Sequence, residues 1–270
     1  MVIRSLTAAD FDSVYAAFAD AFSDYVVPLT LTPDQLREML TRRGWVPEAS
    51  AGAFDEDRLV AFTLNAIEDT RAYDTGTGVV RSHRRRGLGR EVMQSSYPLL
   101  RARGCTEYLL EVIDINERAV ELYRAEGFVL ARALQCWRVE SSSLRVLESP
   151  SGFSGRLEDS TSRRLWWDVE PAWQNSTGSI ERANDEHVTF GNEDGYVVVF
   201  PNSGDVAQLA VRREARRRGI GTKLLHAAAM RVGKPLRIMN IDERDRGIAA
   251  FLEHSGAVRT VRQLEMVRAL

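Results

Sequence analysis

Val79-Val80-Arg81-Ser82-His83-Arg84-Arg85-Arg86-Gly87-Leu88-Gly89 decides the fold, because it returns as Val211-Arg212-Arg213-Glu214-Ala215-Arg216-Arg217-Arg218-Gly219-Ile220-Gly221. The offset, 216 − 84 = 132 residues, is about one domain length. Each copy follows a β-like run and precedes an apolar-periodic segment, Val92 to Leu100 in the first and Leu224 to Val232 in the second. Another β-like run comes next, Tyr108 to Ile115 and Leu236 to Ile241, and then a short helical segment closed by glycine, Arg118 to Gly127 and Gly247 to Gly256. Two related α/β domains of mixed sheet type are expected, spanning 1–140 and 161–270. The linker is expected at 141–160, where Ser141-Ser142-Ser143 and Ser149-Pro150-Ser151-Gly152 carry turn chemistry and little periodicity.

Outside the repeat the local signals agree with this class. Phe11, Val14, Tyr15, Phe18 and Phe22 recur at spacings of three and four, which predicts a helix from about Ala9 to Ser23. Thr32-Pro33 followed by Gln35 marks a second helix start, with Thr32 as N-cap and Pro33 at the first helical position. Ala51 to Phe54 and Leu59 to Ala66 flank Asp55-Glu56-Asp57-Arg58 as a hairpin. Ala72 to Val80 reads as a further strand, in which Gly76 and Gly78 predict a bulge or a close backbone approach. In the second half a helical region is expected near Thr161 to Asp168, and strands near Val188 to Phe190, Tyr196 to Phe200 and Val206 to Val211.

Composition narrows the function. The 270 residues are 44% hydrophobic and 27% charged, enough to bury a core and unlike a disordered chain or a coiled coil. Lys+Arg 36 against Asp+Glu 38 gives a net charge of −2, so no positive field neutralises phosphates and no nucleic-acid partner is expected. Cys105 and Cys136 are too few for a disulfide framework and lack metal-ligand spacing. A reduced, cytoplasmic setting without a metal is the expectation. The first residues lack a basic segment followed by an apolar run, and no stretch of 18 apolar residues occurs, so no membrane partner is expected either. Nothing in the sequence specifies an oligomeric state.

Gly87-Leu88-Gly89, directly after a β-like run and before an amphipathic helix, places unpaired N–H groups and the positive end of a helix dipole at a turn without side-chain bulk. Such a turn cradles a diphosphate. Arg84, Arg85 and Arg86 add charge at its lip, and Arg90 lies one position inside the helix. A Walker loop is excluded because neither copy has its lysine. A dinucleotide fingerprint fails because Gly76-Thr77-Gly78 lacks the third glycine and is separated from the helix by three arginines.

Arg84-x-x-Gly87-x-Gly89 and Arg216-x-x-Gly219-x-Gly221 resemble motif A of the GNAT superfamily of N-acetyltransferases, the loop that binds the pyrophosphate of acetyl-coenzyme A. Asn116-x-x-Ala119-x-x-Leu122-Tyr123-x-x-x-Gly127-Phe128 resembles motif B. The tandem arrangement is similar to bacterial two-domain GNAT proteins. The resemblance implies, in each domain, a mixed sheet flanked by helices and splayed between its fourth and fifth strands. Pantetheine would lie in the gap and pair with main-chain groups of Val79 and Val80. Binding of acetyl-coenzyme A is thereby assigned to Val79, Val80, Arg84, Arg85, Arg86, Gly87, Leu88, Gly89, Arg90 and Asn116, and in the second half to Arg216, Gly219 and Gly221.

Acetyl transfer to an amine needs a neutral amine, stabilisation of an oxyanion and a proton for the departing thiolate. A phenol with a pKa of about 10 stays protonated at neutral pH and donates to a thiolate whose conjugate acid is near about 8.5. The resemblance gives that role to Tyr123, and an oxyanion donor to a backbone N–H near Val80. Asn116 either caps its helix or hydrogen-bonds pantetheine. The general base is open between Asp74 and Glu111, with Glu68 and His83 as lesser candidates.

Aligning Gly256 with Gly127 puts Leu252 where Tyr123 stands and Asp245 where Asn116 stands. The second half therefore reads as degenerate, structural or substrate-gathering, and Trp166, Trp167 and Trp173 as core or pocket aromatics. The expected activity is acetyl transfer from acetyl-coenzyme A to a small-molecule or peptide primary amine. The alternative from another class is a non-catalytic protein that binds or senses acyl-coenzyme A.

Overall fold

The computed structural model describes residues 1–27, 29–144 and 164–270. It divides into two compact units, Met1–Ala131 with Leu264–Leu270, and Arg132–Gln263. Most of the 141–160 linker lies outside the described residues, as do 161–163 of the helix expected at Thr161 to Asp168. The rest of that segment holds only a 3-10 turn, Arg164–Trp166.

In the first unit β1 (Val2–Ser5), β2 (Ala51–Asp55), β3 (Arg58–Glu68), β4 (Arg71–Val79) and β5 (Glu107–Ile113) lie side by side in that order. β2, β3 and β4 form an antiparallel meander, and β4 runs parallel to β5. The helices are α1 (Phe11–Ala21), α2 (Pro33–Arg43), α3 (Leu88–Arg101) and α4 (Glu117–Ala125). The start of α2 follows the sequence signal: the Thr32 hydroxyl accepts from the Gln35 N–H, and Gln35 Oε1 accepts from the Thr32 N–H. α3 buries Leu88, Val92, Met93, Tyr97 and Leu100, each contributing about 2 kcal/mol as apolar surface leaves water.

The second unit repeats this plan with β7 (Val188–Asn192), β8 (Gly195–Phe200), β9 (Asp205–Val211), β10 (Leu236–Asp242), α5 (Thr177–Arg182), α6 (Ile220–Val232) and α7 (Arg246–His254). Again the first three strands are antiparallel and β9 runs parallel to β10.

The unit boundary falls at Ala131–Arg132 and not at residue 140, because terminal strands are exchanged. β6 (Val129–Val139) follows the first repeat in sequence, yet pairs antiparallel with β10 of the second, from Leu236↔Val139 to Asp242↔Leu134. β11 (Val258–Ala269) begins in the second unit, where the Thr260 hydroxyl donates to the Cys136 carbonyl at 3.2 Å. It ends in the first, where Met266 joins the core with Tyr97, Tyr108 and Phe128 and the Leu270 N–H donates to the Thr106 carbonyl.

Candidate active site

In each unit the strands part where the cofactor arm is expected. β4 and β5 pair only from Arg71↔Glu107 to Asp74↔Leu110. β9 and β10 pair at Arg237↔Asp205. A bulge marks each parting: Thr75 is the extra residue between Asp74 and Gly76, and Ala207 the extra one between Val206 and Gln208. The two bulges are 132 residues apart, 207 − 75, so the repeat extends to this irregularity. Of the two glycines suspected of causing it, only Gly78 is sterically required, since a Cβ there would meet Phe62 Cζ at 2.6 Å. Gly76 would make only ordinary contact.

The loops after the splayed strands share one backbone conformation. Arg85 and Arg217 have φ of 64° and 63°, and Gly87 and Gly219 have φ of 81° and 80°. Among the described residues no backbone carbonyl accepts from the amides of residues 85–89 or 217–221, the first intrahelical bonds being made by Arg90 and Lys223 to the cap glycines. The result is a row of N–H donors at a helix N-terminus, closed by exposed Arg85 and Arg86 in the first copy. Arg84 is turned elsewhere: its guanidinium is bidentate on Asp24, at 2.7 Å to each oxygen.

Strand pairing divides the roles given to Val79 and Val80. The Val80 N–H donates to the Val60 carbonyl at 2.9 Å, so it is engaged with β3 and is no oxyanion donor. Because antiparallel residues alternate between edges, Val79 presents its main chain to the splay. Its counterpart is Val211, since the Arg212 N–H is engaged by the Asp194 carbonyl.

Asp74 lies at the first bulge, near enough to Tyr123 for its charge to act on the phenol. Asp74 is buried; its carboxylate accepts from the Gly76 N–H at 2.8 Å and the Thr77 hydroxyl at 2.7 Å, spanning the bulge. Burial pushes its pKa up to about 6, against the pull of those hydrogen bonds and of Arg43. Tyr123 lies on α4, and burial, then the Asp74 charge and Tyr25, hold its pKa well above the ordinary phenol value. The nearby buried phenols are committed: Tyr73 donates to Glu111, Tyr97 to Glu126 and Tyr108 to Asn65. Among the described residues no hydrogen bond engages the Tyr123 hydroxyl, which leaves it as the phenol of this cluster available to a ligand. Asn116 caps α4, accepting from the Ala119 N–H, and its side chain also hydrogen-bonds Tyr25.

Glu111 is separated from this pair by the pleat. It sits with Tyr73 and in register with Leu109 on one face of the sheet, whereas Asp74, Tyr108 and Tyr123 interact on the other. His83 is bound by Asp55 at 3.2 Å and Ser82 at 2.9 Å at the loop lip. Arg90 forms an ion pair with buried Glu126 at 3.0 Å, a structural contact on α3.

Residues 11–128 and again 151–252 match the acetyltransferase (GNAT) family model. The chain belongs to the acetyltransferase (GNAT) family. It is therefore an acyltransferase of tandem architecture. The fold is shared with a GCN5-related N-acetyltransferase from Sphaerobacter thermophilus, at a TM-score of 0.71 and 13% identity, covering 99% of this chain and 95% of that one. A tandem GNAT protein from the clavulanic acid biosynthesis pathway gives 0.68 and 17%, covering 99% and 98%. No curated protein sequence matches the chain.

The second GNAT repeat keeps the cleft but has neither the buried carboxyl nor the phenol. A cavity of about 950 Å³ opens along its loop, lined by Arg216, Gly219 and Gly221, by the splayed strands and by α7. Trp166 and Trp167 line it too, the latter donating from Nε1 to the Tyr196 hydroxyl at 2.7 Å, while Trp173 is buried. Val206 occupies the position of Asp74, and Leu252, 1% exposed, that of Tyr123. Asp245 caps α7 through the Ile248 N–H as Asn116 caps α4.

Coenzyme A is the group this family implies, and the donor sets fit its diphosphate: free amides 85–89 with Arg85 and Arg86, and free amides 217–221 with Arg217 at the cavity wall. Among the described residues no group of three His, Cys, Asp or Glu side chains could hold a metal ion, and no helix is long and apolar enough to cross a membrane. Sequence reasoning missed Asp24, Tyr25 and Asp168. They lie at or just beyond the ends of the segments expected to be helical, where only the tertiary contact reveals them.

Proposed function

We propose that the first unit transfers an acetyl group from acetyl-coenzyme A to a primary amine of a small molecule or peptide, with Tyr123 as the acid and Asp74 as the base. The observation that carries this is the pair itself: a phenol not engaged within the chain beside a buried carboxyl whose pKa is pushed up to about 6. When bound, acetyl-coenzyme A supplies the activated acyl thioester. The amides of residues 85–89 and the guanidinium groups of Arg85 and Arg86 hold its diphosphate, and Val79 pairs with its pantetheine arm. Asp74, ionised at neutral pH, takes the proton from the attacking amine, directly or through one water. Tyr123, protonated across the physiological range, gives a proton to the departing sulfur. Desolvation that raises the phenol pKa raises that of a thiol in the same site, so donor and acceptor stay matched.

A second reading applies to the second unit, favoured by its cavity. With Val206 and Leu252 in place of the carboxyl and phenol, that unit binds acyl-coenzyme A without turning it over. Incubating the full chain with acetyl-coenzyme A or longer acyl thioesters and a panel of amines, while following free thiol and product mass, tests both. Amine-dependent thiol release with acetylated product supports transfer. Coenzyme A binding without any product leaves only the binding function.

A further inference from the structure

In both units the first arginine of the loop is engaged by a carboxylate and a carbonyl of a remote segment, bidentately in the first unit and in the second by one bond to Asp168, which Arg213 shares. Arg84 Nη1 and Nη2 donate to Asp24 at 2.7 Å, Nη2 also donates to the Ala21 carbonyl at 2.9 Å, and Nε reaches the Val79 carbonyl at 3.4 Å. Arg216 Nη1 donates to Asp168 at 2.6 Å, Nη2 to the Trp166 carbonyl at 3.2 Å, and Nε to the Val211 carbonyl at 2.9 Å. Each guanidinium thus joins the last splay-facing carbonyl of its strand to a carbonyl and a carboxylate of a segment remote in sequence. The arginines obey the 132-residue offset, but their partners do not: Asp24 follows α1, 60 residues from Arg84, and Asp168 follows the Arg164–Trp166 turn, 48 residues from Arg216. Unrelated local sequence therefore builds one geometry twice.

A guanidinium has five N–H donors in a rigid fork. Four are used by Arg84, and a bidentate carboxylate neutralises its charge. Little is left for a phosphate, whereas Arg85, the loop amides and the donors of Arg86 beyond its Nη2 bond to the Ser82 carbonyl at 3.2 Å remain for it. Asp24 also immediately precedes Tyr25, whose N–H is bound by the Phe22 carbonyl, whose ring packs edge-on against Phe22 at 5.2 Å, and whose phenol is hydrogen-bonded to Asn116.

We infer that Arg84–Asp24 and Arg216–Asp168 are clasps that tie a segment bordering the cleft to the phosphate loop, and that in the first unit Asp24 is a positioning residue for the acceptor and not part of the cofactor site. This rests on the acyl-transfer reading of the first unit for its kinetic test, but not for its structural one.

The test uses the full chain carrying Asp24→Asn, Arg84→Lys or both. Each single change is expected to raise the KM for the amine about three- to tenfold, modest because both partners are half-exposed. The KM for acetyl-coenzyme A stays within about twofold, chymotrypsin cuts faster after Phe22 and Tyr25, and the double variant is no worse than either single one. A rise in the acetyl-coenzyme A KM equal to or above that for the amine overturns the clasp and returns Arg84 to the phosphates. Unchanged kinetics with unchanged proteolysis overturns it as well. Should the wild-type chain acetylate no amine, the acyl-transfer reading fails by itself. Calorimetry with coenzyme A and the chymotrypsin rates then decide: faster cutting at unaltered affinity supports the clasp, and lowered affinity or unaltered cutting overturns it.

Discussion

The two repeats agree in backbone and differ in chemistry. Their loops carry the same left-handed residues at Arg85, Gly87, Arg217 and Gly219, and their bulges lie at equivalent positions, Thr75 and Ala207. At the bulge, however, one repeat places Asp74 and Tyr123 and the other Val206 and Leu252. On the proposed reading, a cleft that grips a cofactor and a cleft that uses it are separable properties. The first would depend on main-chain shape, the second on two side chains.

The largest effect expected from breaking this difference is in Asp74. With Asp74 as the proposed base, the carboxylate form is the active one, and because burial pushes its pKa up to about 6, kcat/KM should rise with pH through about 6 and then level. Below that value it should fall about tenfold per pH unit. Asp74→Asn, which makes the first bulge as uncharged as the second, should lower kcat by roughly 100-fold or more and remove the inflection. An unaltered pH profile in that variant excludes Asp74 as the base.

A smaller difference should appear in stability. Glu126, 7% exposed, accepts from Gln94, Tyr97 and Arg90 at the end of α4. Its counterpart Ser255 donates to the Phe251 carbonyl at 2.9 Å. Glu126→Ala should destabilise by about 2 kcal/mol, by leaving buried donors unmatched, and Ser255→Ala by about 1 kcal/mol or less, as urea titration would read. Equal losses would show that the carboxylate hub does not distinguish the repeats.

The smallest effect tests the similarity. Gly87 and Gly219 have left-handed backbone, and a Cβ would meet only Glu91 Oε1 at 3.5 Å in the first and nothing within 4 Å in the second. Alanine at either position should cost about 1 kcal/mol of backbone strain and the same in both units. Unequal costs would mean that the shared loop conformation is held by different surroundings.

Much of this was legible in the sequence where the signal is local or repeated. Thr32, Pro33 and Gln35 fix the start of α2 through contacts three residues apart, and the loop was readable because it occurs twice. Tyr123 and Asp74 could be singled out by position, though their proximity could not. The exchange of β6 and β11 was not legible, because a strand's sequence states which face is apolar and not which of two similar edges it joins. The same holds for Arg84: a guanidinium beside a phosphate loop reads as a phosphate ligand until Asp24, 60 residues away, is seen to hold it.

Placement of the chemistry in the first unit is the claim from which the rest descends, and Tyr123→Phe tests it most directly. Free-thiol release from acetyl-coenzyme A should fall about 100-fold or more in the presence of a saturating amine, with coenzyme A affinity unchanged by calorimetry. Wild-type release in that variant would contradict the account and move the reaction to the cavity of the second unit.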